Sequence, residues 1–266
     1  MADKNRSVNA SRTYRYVAAF LFFMMRLFRW QFTRHGVEHL PQTGGFVIAA
    51  NHQSSIDAFI LGYAPYRARR QPVYILVKNS LFHLPVIGAV MRASGNIPVD
   101  RAKGADAFVK ARQVLQDGGI ILVFPEQTIS PSLELLPFKA GAIRLAKDAG
   151  VPIIPAASFG SHRFQTLGRR PRPVFRLPVG VAYGPAMAVK DVSLDDTVAA
   201  LFTAVSGLYD NLMTTYAHGL PKGAWWVPAR HGGGAPPHQD ALMWREQLLR
   251  HVKTGAKRSM KFRRNR

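Results

Sequence analysis

Two short runs constrain this chain most: Phe46-Val-Ile-Ala-Ala50 and Ile120-Ile-Leu-Val-Phe124. Both are apolar at every position, with Gly44-Gly45 before one and Gly118-Gly119 before the other. Runs this short and rich in β-formers read as strands. A strand apolar on both faces must lie inside a sheet covered on both sides, which is the situation of a parallel sheet. The intervening segments fit that frame. Ala105 to Gln116 has the period of an amphipathic helix and closes on Asp117-Gly118-Gly119. Helices are expected over about 55–65, 81–93 and 141–148, and extended pieces over 72–77, 96–99, 151–157 and 174–182, with a short strand and turn within 36–45. This alternation predicts an α/β fold, a mainly parallel sheet flanked by helices, with a longer helix over 197–216 packed back on it. A chain of 266 residues with 47% hydrophobic content can bury one such core.

The two ends read differently from the middle. Residues 14–32 form a greasy helical stretch whose uninterrupted apolar run, Tyr16 to Met25, is ten residues, about half the ~20 needed to span a bilayer. On a helical wheel Arg12, Arg15, Arg26 and Arg29 fall within a sector of about 100°, as in a helix lying in a membrane interface. A signal peptide is a rival reading without a small-x-small cleavage site, and a core helix is another. His231-Gly-Gly-Gly-Ala-Pro-Pro has the composition of a linker; beyond it residues 240–252 read as a basic helix and 253–266 as a solvated cationic tail. The expected organisation is a membrane-associating segment over 1–35, a catalytic domain over 36–230, and a linker with a basic tail over 231–266.

The net charge of +21 follows the same division, since residues 1–35, 162–176 and 245–266 hold 19 of those charges. The body is close to neutral, so the basic segments read as attachments to something anionic, a membrane surface or nucleic acid. The chain has no cysteine, which excludes disulfides and thiolate catalysis.

Catalytic chemistry centres on Asn51-His52-Gln-Ser-Ser-Ile-Asp57, the polar turn that follows the first apolar strand. On one ideal helix His52 and Asp57 would point about 140° apart. They meet only if His52 precedes the helix and Asp57 lies in its first turn, with Ser54 or Ser55 as N-cap. Asp57 then accepts a hydrogen bond from the imidazole Nδ1–H, and Nε2 faces outward as a base. The plain alternative is a capping cluster with a histidine bonded to a nearby carbonyl.

Four further stretches sit at strand ends, where open α/β sheets place ligands: 78–88 from Lys78, Gly95-Asn-Ile-Pro-Val-Asp-Arg101, Phe124-Pro-Glu126-Gln-Thr128-Ile-Ser130 with Phe138-Lys139-Ala-Gly141, and Val151-Pro-Ile-Ile-Pro155. With Asn51-His52-x4-Asp57, in this order, they resemble the glycerophospholipid acyltransferase family typified by bacterial 1-acylglycerol-3-phosphate acyltransferase. The resemblance implies transfer of a fatty acyl group from an acyl-CoA or acyl carrier protein (acyl-ACP) co-substrate to a lysophospholipid hydroxyl in phospholipid biosynthesis. It implies no further cofactor and no metal. His52 maps onto the family's base and Asp57 onto the residue that orients it. Asn51, Lys78, Arg101, Glu126, Thr128 and Lys139 are expected at the substrate. The implied partners are the acyl carrier, the lysophospholipid acceptor and an anionic membrane surface on the cytoplasmic face, with no nucleic acid.

The third block departs from the family's Phe-Pro-Glu-Gly-Thr-Arg-Ser: Gln127 replaces the glycine and Ile129 the arginine. Isoleucine cannot make a bidentate phosphate contact. Arg101, Lys139 and Lys78 must then carry the anion, or the acceptor is another lipid hydroxyl. The five arginines of 162–176 read either as an exposed loop or, with Phe164, Leu167 and Phe175 interleaved, as a membrane contact. Oxyanion donors are expected among backbone N–H groups at the strand ends or near Ser54.

Overall fold

The computed structural model describes residues 10–99, 105–189 and 193–253. The chain order is α1 (Arg12–Leu27), β1 (Gln31–His35), β2 (Phe46–Ala50), α2 (Asp57–Arg69), β3 (Val73–Lys78), α3 (Pro85–Ala93), β4 (Ile97–Val99), α4 (Ala105–Gln116), β5 (Ile120–Val123), α5 (Gly141–Ala149), β6 (Ile153–Phe159), β7 (Pro178–Tyr183), α6 (Leu194–Thr214) and α7 (His238–Lys253). The seven strands form one sheet in the order β1-β7-β6-β2-β5-β3-β4. All neighbours are parallel except β6 and β7.

The two apolar runs lie side by side at the middle of the sheet, Phe46 opposite Ile120 and Ile48 opposite Leu122. Their residues alternate between two cores, as the two-residue strand period requires. Val47, Ala49 and Ile121 join the side chains of α4, α5 and α6, whereas Phe46, Ile48, Ile120 and Leu122 join those of α1 and α2. Gly45 is needed where β2 begins, because a Cβ there would stand 2.0 Å from the Leu115 carbonyl oxygen.

The organisation differs from the sequence expectation at both ends. The first helix stops at Leu27, which leaves Arg29 beyond its C-cap, and Gln31–His35 pairs with β7. The expected boundary at residue 35 therefore cuts a strand out of its sheet. The strand expected within 36–45 is instead the short 3-10 turn Val37–His39, and the helix expected from 81 divides into the 3-10 turn Asn79–His83 and α3. The glycines at 232–234 are not a free linker. Gly233 N donates to Pro228 O and Gly234 N to Ala224 O, and a Cβ on Gly233 would meet the Val227 oxygen at 2.0 Å. Composition suggested flexibility; the same lack of side chains allows close backbone packing. Beyond it α7 buries Ala241, Trp244 and Arg245 against the body. The tail expected beyond α7 lies outside the described residues.

Candidate active site

The turn between β2 and α2 is held from two sides. Facing the β6 side, Asn51 Nδ2 donates to Ser158 O at 3.0 Å and Ser158 N returns a bond to Asn51 Oδ1 at 2.8 Å. Thr166 Oγ1 donates to Gln53 O at 2.7 Å, Ser55 donates to Gln165 Oε1 through N at 3.0 Å and Oγ at 2.6 Å, and Ser161 Oγ donates to Asp57 Oδ1 at 2.5 Å. Facing the β5 side, His52 N donates to Glu126 Oε1 at 2.7 Å and Ser130 N to His52 O at 2.9 Å. The His52 ring stacks on Phe124 with centroids 3.9 Å apart and planes 13° from parallel. Asn51 thus ties the turn to β6, the Gln53 carbonyl, Ser55 and Asp57 tie it to the loop that follows β6, and His52 ties it to the β5 side.

His52 precedes the helix and Asp57 is its first residue, the arrangement that lets their side chains meet. Nδ1 lies 3.4 Å from Asp57 Oδ2, and the imidazole keeps 19% exposure while the carboxylate is fully buried. That separation is electrostatic contact rather than a formed hydrogen bond, and catalytic hydrogen bonds are often long before substrate binds. With Nδ1 turned to Asp57, Nε2 is the nitrogen left for a substrate proton. Neither Ser54 nor Ser55 is the N-cap; Ile56 holds that position. The Asp57 Oδ2 atom instead accepts from the amides of Gln53 and Ser54, each at 2.7 Å. Those two amides are spent within the turn and that of Ser55 on Gln165 of the β6–β7 loop, so none of the three is free as the oxyanion donor expected near Ser54.

The expected substrate residues that the structure describes occupy the same edge of the sheet in different ways. Asn51 is buried and both ends of its amide are committed to Ser158, so it fastens β6 to the turn rather than touching a ligand. Glu126 is also buried; Oε2 accepts from Leu136 N at 2.7 Å while Oε1 holds His52 N. Burial pushes its pKa up to about 8, against the opposing pull of those two amides and of Arg245. Glu126 thus fixes the backbone of His52 instead of contacting phosphate. Gln127 keeps a left-handed backbone, φ 64°, the conformation a glycine would adopt without strain. Thr128 and Ile129 follow half-buried. Lys139 is exposed beside them, its amide bonded to Pro125 O at 3.0 Å. Lys78 is exposed at the end of β3, two strands from β2. Arg101 lies outside the described residues.

Several residues of the site carried no sequence signal. Gln53 Nε2 donates to Leu133 O at 2.7 Å and to the Tyr209 hydroxyl, which itself donates to Leu133 O at 2.6 Å. Arg245, from the helix expected to be a basic appendage, donates to Pro137 O at 2.6 Å and to Glu126 O at 3.3 Å. Ser161 is marked only by following Gly160 at the end of an apolar strand.

Comparison with known proteins places this geometry. A family model described as acyltransferase matches residues 31–158. Over that span, a little under half of its length, the chain is similar to the acyltransferase family. Relatives include proteins named 1-acyl-sn-glycerol-3-phosphate acyltransferase from Haemophilus influenzae, 36% identical over 50% of this chain and 58% of the relative, and from Bacillus subtilis, 32% identical over 46% of this chain and 60% of the relative. The one from Borreliella burgdorferi is 32% identical over 48% of this chain and 51% of its own. The chain spans about half the length of the curated relatives it matches. The crystal structure of the 1-acyl-sn-glycerophosphate acyltransferase PlsC from Thermotoga maritima shares the fold, with a TM-score of 0.63 and 22% identity over 82% of this chain and 86% of that one.

Proposed function

We propose that this chain is a peripheral membrane O-acyltransferase moving a fatty acyl group from an acyl-CoA or acyl-ACP thioester to the hydroxyl of 1-acylglycerol 3-phosphate, giving phosphatidic acid. The observation that carries this reading is the His52–Asp57 pair, held at the end of β2 with Nδ1 towards the carboxylate and the imidazole still partly exposed. A thioester is already activated, so the reaction needs a base for the alcohol and no acylated side chain. His52 Nε2 takes the hydroxyl proton as the alkoxide oxygen attacks the thioester carbonyl. The tetrahedral intermediate collapses with cleavage of the C–S bond, and the imidazolium returns the proton to the departing thiolate. Asp57, facing Nδ1, stabilises the imidazolium between these steps. The names of the relatives support the acceptor.

The cytoplasmic membrane face is the proposed location. No helix among the described residues is long and apolar enough to cross a membrane. Helix α1 nonetheless exposes Tyr16 (74%), Phe20 (61%), Phe23 (60%) and Leu27 (55%), four large side chains at helical spacing on one face. Its opposite face buries Met25 and packs Phe22 against Tyr63, while Arg12, Arg15 and Arg26 line one flank. An apolar ridge bordered by cations suits the boundary between headgroups and acyl chains.

The decisive test is acyl transfer to lysophosphatidate by purified His52→Ala. Since His52 is partly exposed, loss of turnover with an unchanged melting temperature is expected. Wild-type turnover in that variant would remove the mechanism.

A further inference from the structure

The loop between β6 and β7 is part of the site, because Ser161, Gln165 and Thr166 tie it directly to Asp57, Ser55 and Gln53. It carries Arg163, Arg169, Arg170, Arg172 and Arg176, and the sequence from 149 to 190 contains no Asp or Glu. Among the described residues no carboxylate lies within ion-pair distance of Arg163, Arg169 or Arg172, whereas Arg230 elsewhere contacts both Glu134 and Asp210. The loop arginines rest on indoles instead. The Arg163 guanidinium stands 4.2 Å from the Trp226 ring centre and that of Arg169 4.0 Å from Trp225. Arg163 is held further by a 3.1 Å bond to the Tyr216 hydroxyl, and the buried Arg169 Nε has no partner. Burial first, and then the nearby charge of Arg172, draw the Arg169 pKa below the usual arginine value. Like charges are here kept together and partly dried without a counter-ion. Arg163, Arg172, Pro173, Val174 and the two tryptophans border an open cleft of about 510 Å³.

Stacking a guanidinium on an aromatic ring fixes its plane and leaves its N–H edge free, the geometry that grips phosphate. On the other side of the turn Ile129 stands where the block that the sequence resembles has arginine, and isoleucine offers phosphate no donor. We propose that Arg163 and Arg169, seated on Trp226 and Trp225, together with Arg172 at the rim of the cleft, bind the phosphate of the lysophospholipid acceptor. This rests on the acyl-transfer reading and moves the phosphate site to the β6 side of the catalytic turn.

The tryptophans provide a readout independent of activity. Titrating the full chain with glycerol 3-phosphate should change its intrinsic fluorescence saturably, and glycerol should not. Arg169→Gln, and the more exposed Arg172→Gln should the first fail to fold, should weaken that binding and raise the KM for lysophosphatidate about tenfold or more, with the KM for the acyl donor and kcat nearly unchanged. A rise in donor KM instead would assign the cleft to the phosphates of coenzyme A and overturn the proposal. So would an unchanged acceptor KM accompanied by weaker binding to phosphatidylglycerol vesicles, which would make the loop a bilayer anchor. No response to glycerol 3-phosphate, with no KM change, would overturn it as well. If glycerol 3-phosphate binds and the variants lose it, yet the wild-type chain transfers no acyl group, the phosphate site stands and the acyl-transfer reading fails.

Discussion

Glu126 illustrates how burial sets the behaviour of a residue. Glu126 has no route to solvent, so its charge is tolerated only through two amide donors and the cation of Arg245. Its pKa is raised from 4.5 to about 8, so the folded chain binds the Glu126 proton more tightly than the unfolded one. Its contribution to stability is complete below about pH 4.5 and is lost as pH rises through about 8. Urea unfolding across this range should show wild-type stability falling towards alkaline pH, and Glu126→Gln should flatten that slope. An equal slope in both proteins would count against the assignment. Gln127 presents a simpler case. An L-residue in the left-handed region costs about 1–2 kcal/mol, and glycine returns part of that gain as chain entropy. Gln127→Gly should therefore stabilise the fold by up to about 1 kcal/mol, seen as a rise in melting temperature. At Asp57 the expected effect is catalytic. Asp57→Asn leaves the imidazole in place but loses control of its tautomer, so kcat should fall by about two orders of magnitude or more with a residual rate.

At the scale of elements, the helices at the two ends behave oppositely to one another. The exposed ridge of α1 contributes nothing visible to the core, so Phe20→Ser with Phe23→Ser should leave folding intact and weaken binding to anionic vesicles. Each buried aromatic is worth about 1.5–3 kcal/mol, so a co-sedimentation assay should show a loss of at least tenfold. Removing the whole N-terminal segment would be a poor test, because β1 belongs to the sheet and Met25 to the core. Helix α7 reads in sequence as a basic appendage, yet it closes over Glu126. Arg245→Met keeps much of the stem and removes the donors to Glu126 O and Pro137 O. It should lower stability by about 1–3 kcal/mol in chemical denaturation, whereas neutralising the exposed Arg250 should not.

For the molecule as a whole, what could be read from sequence follows a physical division. Local pattern was sufficient where one segment decides its own fate. The continuous apolar runs dictated a doubly covered sheet, and the five-residue step from His52 to Asp57 meant that the two side chains could meet only with His52 just ahead of a helix. It failed where distant segments decide. Nothing in the local pattern of Gln31–His35 says that it pairs with β7, and Gly232–Gly234 has the same composition whether free or packed. The partners of Asn51 and Glu126 were illegible for a related reason, since residue type shows that a polar group is present but not which way it points. The loop arginines were visible as charge, but the tryptophans beneath them lie more than fifty positions further along the chain.

The way the catalytic turn is suspended has one more consequence. On the β6 side its ties run to Ser158 within the strand and to only three loop side chains, Ser161, Gln165 and Thr166. The stretch from Arg169 to Arg176 makes none of them. Headgroup preference and base geometry are in this sense separately inheritable. A lineage could rewrite the distal half of the loop, trading one acceptor for another, while His52 and Asp57 stay in register. A graft of residues 168–176 from a relative should accordingly carry acceptor choice with it and leave the reaction itself untouched.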